Sequence, residues 1–259
     1  MKKRIKVAVA QYEVPGSTKD SIKKLNQVAS LAEKKEAKLL VAPETAIGML
    51  GDVKSSGRDC LPDLQEAARK NNINIATSFY IKEKDKFYNQ GYIVSNSGEV
   101  INSHRKIYLA PPEREQDGIS PGKKLTVSKS RLGNLAMLIC KDGFNKYSHF
   151  LYKKLGQQKT DIVCLPTWSL GMFKPSTQEY IKALFVYGAF TSRAFVLVSG
   201  NLNKETKSFG RSLIVSPIKG VLKEGSSDKE ELLVQDLDLN EPKRARRFDS
   251  WWQPKKRVL

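Results

Sequence analysis

Leu135-Ala-Met-Leu-Ile-Cys-Lys-Asp-Gly143 is the stretch on which the reading of this chain turns. Its first five residues are apolar, as in a strand with a buried body, and Cys140 closes the run just before Lys141-Asp142-Gly143. A thiol stopped there is held on rigid backbone and turned out of the sheet edge, with backbone N–H groups directly after it. A nucleophile and the donors that receive its oxyanion need that arrangement. Alone, the pattern also fits a last core residue, because free cysteines are usually buried and inert. Two further segments decide between these readings.

Lys38-Leu-Leu-Val-Ala-Pro-Glu44 repeats the design, an apolar strand with a carboxylate at its end and Pro43 blocking further pairing. In His104-Arg-Lys106-Ile-Tyr-Leu109 a lysine interrupts a strand-like run before the Pro111-Pro112 break. Taken singly, Glu44 reads as a solvated loop acid and Lys106 as a charge guarding an edge strand. Taken together with Cys140, they supply a base, a cation and a nucleophile.

These residues resemble the nitrilase superfamily, the carbon–nitrogen hydrolases, which carry Glu, Lys and Cys in this order, each after a strand. Val7-Ala-Val-Ala-Gln11 is similar to the opening strand of that family, and Leu40-Val-Ala-Pro-Glu44 to its glutamate motif. Tyr88-Asn89 and Arg105-Lys106-Ile-Tyr-Leu109 resemble the lysine segment, and Leu138-Ile-Cys140-Lys-Asp142 the nucleophile motif. Leu165-Pro-Thr-Trp168, Ser192-Arg193-Ala194 through Asn201, Gly210-Arg-Ser212 and Pro217 match later landmarks, so the resemblance runs nearly end to end.

Outward from the three motifs, apolar periodicity alternates between strand and helix. A strand at Ile5–Gln11 precedes a helix near 18–35, where Ile22, Leu25, Val28, Ala29 and Ala32 form a one-sided stripe. Further helices fall near 62–71, 147–156 and 177–192. Strands fall at 38–43, 73–81, 87–95, 100–109, 160–166, 194–200, 211–216, 220–223 and 231–237. That alternation establishes an α/β class with helices over sheets. The resemblance implies the more specific four-layer α-β-β-α sandwich.

The 259 residues carry no linker-like or repetitive segment, and they read as one domain, 1–259, with a basic, tryptophan-containing tail at about 240–259. No apolar run approaches the roughly 18 residues of a membrane span, and Met1-Lys-Lys-Arg-Ile-Lys-Val lacks the features of a signal peptide. Three cysteines, Cys60, Cys140 and Cys164, form no closed disulfide set and show no metal-ligand spacing. A soluble, cytoplasmic protein with reduced thiols is expected, with no metal and no organic cofactor. Forty-five Lys and Arg against 27 Asp and Glu give a net charge of +18, which raises nucleic acid as a partner. In the tail, Lys243, Arg244, Arg246, Arg247, Lys255, Lys256 and Arg257 surround Trp251 and Trp252. Elsewhere the charge lies beside acids on helix faces, and no nucleic-acid motif is present. The tail is therefore expected to pack on the protein itself or on a partner subunit. The resemblance favours the latter, in a homodimer or larger homo-oligomer.

The residues define a reaction. With two histidines in the chain, a Cys-His pair has little to draw on; His104, two residues before Lys106 and on the same side if the segment is extended, is a candidate for a role nearby, and a surface position is the favoured reading. Glu44 is expected to take the proton of Cys140 as the sulfur attacks an amide carbonyl. Lys106 and the backbone N–H of Lys141 would stabilise the oxyanion, each such donor being worth about 3 kcal/mol. A thioester then forms, an amine or ammonia leaves, and water completes the hydrolysis. The resemblance implies a second glutamate before Pro121-Gly122. Glu113 and Glu115 are both candidates, and the spacing favours Glu115. Asp142 is read as holding the turn through backbone N–H bonds. Lys141 and Arg114 suggest an anionic substrate. The expected activity is cleavage of a non-peptide C–N bond in a small amide or carbamoyl compound. A nitrilase and a non-catalytic binding protein are the alternatives.

Overall fold

The computed structural model describes residues 4–168, 175–203 and 210–250. In chain order the elements are β1 Arg4–Glu13, α1 Thr18–Lys34, β2 Leu39–Val41, α2 Leu50–Ser56, α3 Leu61–Lys70, β3 Asn74–Glu83, β4 Lys86–Val94 and β5 Val100–Arg105. They continue with α4 Pro111–Glu115, β6 Val127–Ser130, β7 Gly133–Met137, α5 Ser148–Gln157, β8 Ile162–Thr167 and α6 Pro175–Ser192. The chain closes with β9 Phe195–Leu202, β10 Leu213–Ser216, β11 Gly220–Glu224, β12 Glu231–Asp238 and α7 Glu241–Ser250. A short 3-10 turn, Cys140–Asp142, follows β7.

Two sheets result. One runs β5-β4-β3-β2-β1-β12 and the other β6-β7-β8-β9-β10-β11, and they meet where Tyr12 and Glu13 pair with Asn201 and Leu202. Alternation along β1 explains the layering. Val7 and Val9 face inward with Leu39, Val41 and Ala76, against Leu135, Met137, Ile162 and Leu197 of the second sheet. Ala8 and Ala10 face outward and take the apolar stripe of α1 (Leu25, Val28, Ala29, Ala32) and Leu64, Ala67 and Ala68 of α3. On the far side, Ala136, Val163 and Val196 meet Leu151 and Leu155 of α5 and Phe185 and Ala189 of α6. The layers are therefore α-β-β-α. Ser17 starts α1 by accepting the Asp20 N–H on its side-chain oxygen at 3.1 Å, the signature of an N-cap.

The strand expected over 100–109 stops at Arg105. Lys106 N–H makes one more ladder bond, to Asn89 O at 3.0 Å. Ile107 and Tyr108 then give their N–H groups to the Asp142 carboxylate instead, at 3.0 and 2.7 Å. Residues 241–250, expected as tail, form helix α7, and Arg246 ties it to the same chain through Thr160 O and Asp161, both at 2.9 Å. Trp251, Trp252, Lys255, Lys256 and Arg257 lie outside the described residues. Among the described residues no helix is long and apolar enough to cross a membrane.

Candidate active site

Three chain segments end at the same edge of the two facing sheets. Pro43 closes β2 and leaves Glu44 just past it, 2 % exposed. Lys106 leaves β5 and is equally buried. Its carbonyl accepts the Gly122 N–H at 2.8 Å, and a Cβ at position 122 would lie 2.2 Å from the Arg105 carbonyl oxygen. The Pro121-Gly122 pair thus permits a close backbone approach that anchors the lysine segment. Cys140 follows β7 with φ at +47°, a left-handed conformation costly for a residue with a Cβ. The sharp turn aims its sulfur back at Glu44.

The side chains form one hydrogen-bonded cluster. Lys106 Nζ donates to Glu44 Oε1 at 2.7 Å and lies 2.7 Å from Glu113 Oε2. Asn89 Nδ2 donates to both acids, to Glu44 Oε1 at 2.8 Å and Glu113 Oε1 at 3.0 Å. Trp168 N–H reaches Glu44 Oε2 at 2.8 Å, and the Cys140 thiol is hydrogen-bonded to the same carboxylate. Glu113 is fixed in turn by the Ala110 N–H, 2.7 Å from Oε2, at the start of α4.

Burial pushes the Glu44 carboxyl above its ordinary range and the nearby Glu113 adds to this, while Lys106 pulls it down. Burial alone would lower Lys106. The negative groups around it, Glu44 first, instead hold the ammonium protonated well above its usual range. Burial likewise raises the Cys140 thiol, with Glu44 adding to the effect against Lys106 and the Trp168 N–H. The resting sulfur is therefore a protonated thiol beside a carboxylate of raised basicity, with a fixed cation opposite. Proton transfer and attack can then occur together. Cys60 and Cys164 are also buried, and burial pushes them to about 11 and about 12. Neither has such a base: Cys60 packs under α3 and Cys164 between the sheets.

The structure thus brings Glu44, Lys106 and Cys140 together. It places Glu115 elsewhere. That residue is exposed on the outer face of α4 and paired with Arg114 at 2.5 Å. The carboxylate at the lysine is Glu113, two residues earlier and buried. Of the two candidates, sequence spacing favoured Glu115 because α4, a five-residue helix, winds the chain between lysine and Pro-Gly. Facing inward then depends on helical phase rather than on distance to the glycine. Arg114 is engaged by Glu115, and Lys141 is half-buried. Residues Cys140 and Lys141 open the 3-10 turn, so their N–H groups have no partner within it.

His104 departs furthest from its sequence reading. It is not at the surface but 3 % exposed, with Nε2 2.8 Å from Asp142 Oδ2. Asp142, fully buried, also accepts the Ile139 N–H at 3.2 Å on Oδ2, besides Ile107 and Tyr108 on Oδ1. One carboxylate thereby binds the lysine segment to the cysteine turn, and among the described residues His104 supplies its only side-chain donor. The backbone-holding role read for Asp142 agrees with this geometry. Asn89 drew attention in the sequence only as part of the family landmark Tyr88-Asn89. Its bridging of two carboxylates depends on the β3–β4 register, Tyr80 opposite Asn89, which residue types do not specify.

A family model for the carbon–nitrogen hydrolases matches residues 6–247. The chain is 21% identical to a deaminated glutathione amidase of Dictyostelium discoideum, over 93% of this chain and 90% of that protein. It is 22% identical to the omega-amidase of Saccharomyces cerevisiae, over 90% and 87%. A carbon–nitrogen hydrolase structure from Helicobacter pylori superposes with a TM-score of 0.85 at 18% identity, covering 98% of this chain and 96% of that one. A variant amidase from Nesterenkonia sp., whose active-site cysteine carries the acetamide moiety of fluoroacetamide, gives 0.77 at 19%, covering 96% and 97%.

His104→Ala removes one donor from a buried carboxylate, an interaction worth about 1.5–3 kcal/mol when one partner is charged. The Cys140 turn should loosen, and alkylation of Cys140 by iodoacetamide, followed on its peptide by mass spectrometry, should slow about tenfold. His104→Gln, whose amide nitrogen reaches a similar position, should restore most of the rate. Equal alkylation in wild type and His104→Ala would remove His104 from the tie.

Proposed function

This chain belongs to the carbon–nitrogen hydrolase family, hydrolases of non-peptide C–N bonds, and on that premise we propose that it is a thiol amidase acting through a thioester. The observation that carries this reading is the buried Cys140 thiol set beside Glu44, the carboxylate that also accepts from Lys106 Nζ at 2.7 Å. Glu44 takes the thiol proton as sulfur bonds to the amide carbon and the carbonyl electron pair moves onto oxygen. Lys106 Nζ and the N–H groups opening the turn at Cys140 and Lys141 receive that oxyanion. Glu44 then protonates the nitrogen, the C–N bond breaks, and ammonia or an amine leaves. Water gives a proton to Glu44 and its oxygen to the thioester carbon. The C–S bond breaks, and the proton returns to sulfur as the acid departs. Glu113 keeps Lys106 charged and oriented and keeps Glu44 basic. All steps use this chain's own groups.

Self-association with a second copy belongs to the same proposal. Tyr180, Leu184, Tyr187 and Phe190 recur at helical spacing and leave one face of α6 exposed and largely aromatic, with Leu184 and Tyr187 lining a hollow of about 370 Å³. Scattered apolar residues are ordinary, but a contiguous face of this kind marks an interaction surface. Sedimentation should give at least twice the 29.1 kDa chain mass, and Tyr187→Arg should shift the protein to monomer. A monomeric wild type would remove this part of the proposal.

The direct test is ammonia release from a panel of amides, ω-amides, carbamoyl compounds and nitriles. Turnover of at least one amide is expected, with Cys140→Ala inactive. Activity that survives in that variant, or release from nitriles alone, would sink the amidase reading.

Catalysis needs Glu44 unprotonated in the free enzyme, so kcat/KM should fall as pH drops through a pKa above the usual carboxylate range. Glu113→Gln removes a negative neighbour, which lowers that pKa and moves the acid limb to lower pH while kcat falls. Glu115→Gln should do neither. An acid limb unmoved in Glu113→Gln would show that Glu113 does not set the basicity of Glu44.

A further inference from the structure

We propose that Thr77 and Ser78 are positioning residues for Glu44, holding the turn Pro43-Glu44-Thr45 from opposite faces of the sheet. The inference rests on the reading of Glu44 as the base for Cys140 and goes beyond it, to what keeps that base aimed. The need for a hold is written in the sequence. Ala42 N–H makes one more bond of the β2–β3 ladder, to Ala76 O at 2.9 Å. Pro43 has no N–H, so the ladder stops there, and its buried carbonyl needs a donor from elsewhere.

Two hydroxyls of β3 take over. Ile75 and Phe79 pack with the outer helices and Ala76 between the sheets. Alternation therefore puts Thr77 on the outer face and Ser78 on the inner one. Thr77 Oγ1 donates to Pro43 O at 2.7 Å, and Ser78 Oγ accepts the Thr45 N–H at 3.2 Å. Glu44, between those two residues, is thus fixed from both sides of the sheet plane. The second sheet adds two bonds: Thr167 O accepts the Glu44 N–H at 3.4 Å, and the Trp168 N–H reaches the carboxylate at 2.8 Å.

Thr45 shows why the hold matters. Its φ is +51°, and among the described residues it is the one β-branched residue with φ in the left-handed region. That conformation crowds the branched Cβ and persists only where the surroundings enforce it. Its own hydroxyl closes on the Glu44 carbonyl at 2.8 Å, and its N–H is tied to Ser78. Without Ser78 the backbone would relax toward its ordinary region and turn the Glu44 carboxylate away from Cys140 and Lys106. Thr77 and Ser78 are fully buried, so water does not replace a lost hydroxyl. The nucleophile is held by the same device. Cys140 is itself left-handed, and the Asp142 carboxylate secures its turn.

Ser78→Ala and Thr77→Val each remove one hydroxyl and keep the rest of the side chain's shape. Two readouts apply to variants with wild-type circular dichroism. One is kcat and KM for an amide that the wild type hydrolyses. The other is the rate of Cys140 alkylation by iodoacetamide at neutral pH, where the thiol gives its proton to Glu44 and no amide substrate is needed. Each variant should lower kcat and the alkylation rate about tenfold, with KM within about twofold of wild type. Adding Thr45→Gly to Ser78→Ala should raise both rates again, about threefold or more, because glycine takes a positive φ without steric cost. Thr160→Val removes an equally buried hydroxyl, bonded to Leu155 O at 2.8 Å before the opposite end of β8, and should change neither readout. Wild-type rates in Ser78→Ala and Thr77→Val, an equal loss in Thr160→Val, or no recovery with Thr45→Gly would each overturn the assignment. If no amide is hydrolysed, the amidase reading fails, and the alkylation rates still decide this one.

Discussion

A lysine ammonium sealed between two carboxylates is the constraint from which the rest of this site follows. Lys106, Glu44 and Glu113 are each almost fully buried, and an isolated charge in such a place costs several kcal/mol. The cluster is tolerable only as a set. Two acids against one base leave a net negative charge, which keeps the lysine charged and makes Glu44 a better base. Asn89 makes the set possible by donating to both acids from a strand interior. Removing any one member leaves an uncompensated buried charge or donor, so stability and chemistry here rest on the same atoms.

The sandwich exists to bring those atoms together. Glu44, Lys106 and Cys140 are far apart in the chain, but β2 and β7 both run toward one edge, in sheets facing each other across a dry layer of Val, Leu, Ile and Met. Packing fixes the strands, and the strand ends inherit that rigidity. Asp142 supplies the last tie. With two N–H groups from the lysine segment, one from the end of the cysteine strand and the His104 ring, it replaces the β-ladder where the ladder stops. The left-handed Cys140 backbone is held in place by these bonds.

How much of this was legible follows from the length scale of each signal. Apolar runs report burial directly, so the strands carrying Glu44 and Cys140, and the stripe of α1, stand out in the residues alone. The short elements do not. Helices α2 and α4 are under three turns, too brief for a periodic stripe, and Glu113 sits on α4. Helical phase decides which of Glu113 and Glu115 turns inward, and two residues of phase separate a buried ligand of Lys106 from a surface partner of Arg114. His104 was misread for a related reason. A histidine in a polar-looking run reads as exposed unless its partner is known, and that partner, Asp142, lies in the turn that follows a strand of the other sheet.

The three cysteines show why burial alone does not make a catalytic thiol. All three are buried and all three are pushed toward the protonated form. For Cys60 and Cys164 that is the end of the matter, because no acceptor of raised basicity stands beside them and their thiols stay protonated and unreactive. For Cys140 the same desolvation acts on sulfur and carboxylate together, and it raises Glu44 along with the thiol it must deprotonate. Moving the proton from one to the other then creates no new isolated charge. The thiolate forms beside the Lys106 ammonium, and the negative charge passes on to the carbonyl oxygen at the turn. Low dielectric, which silences the other two thiols, here strengthens every interaction that a transition state can use.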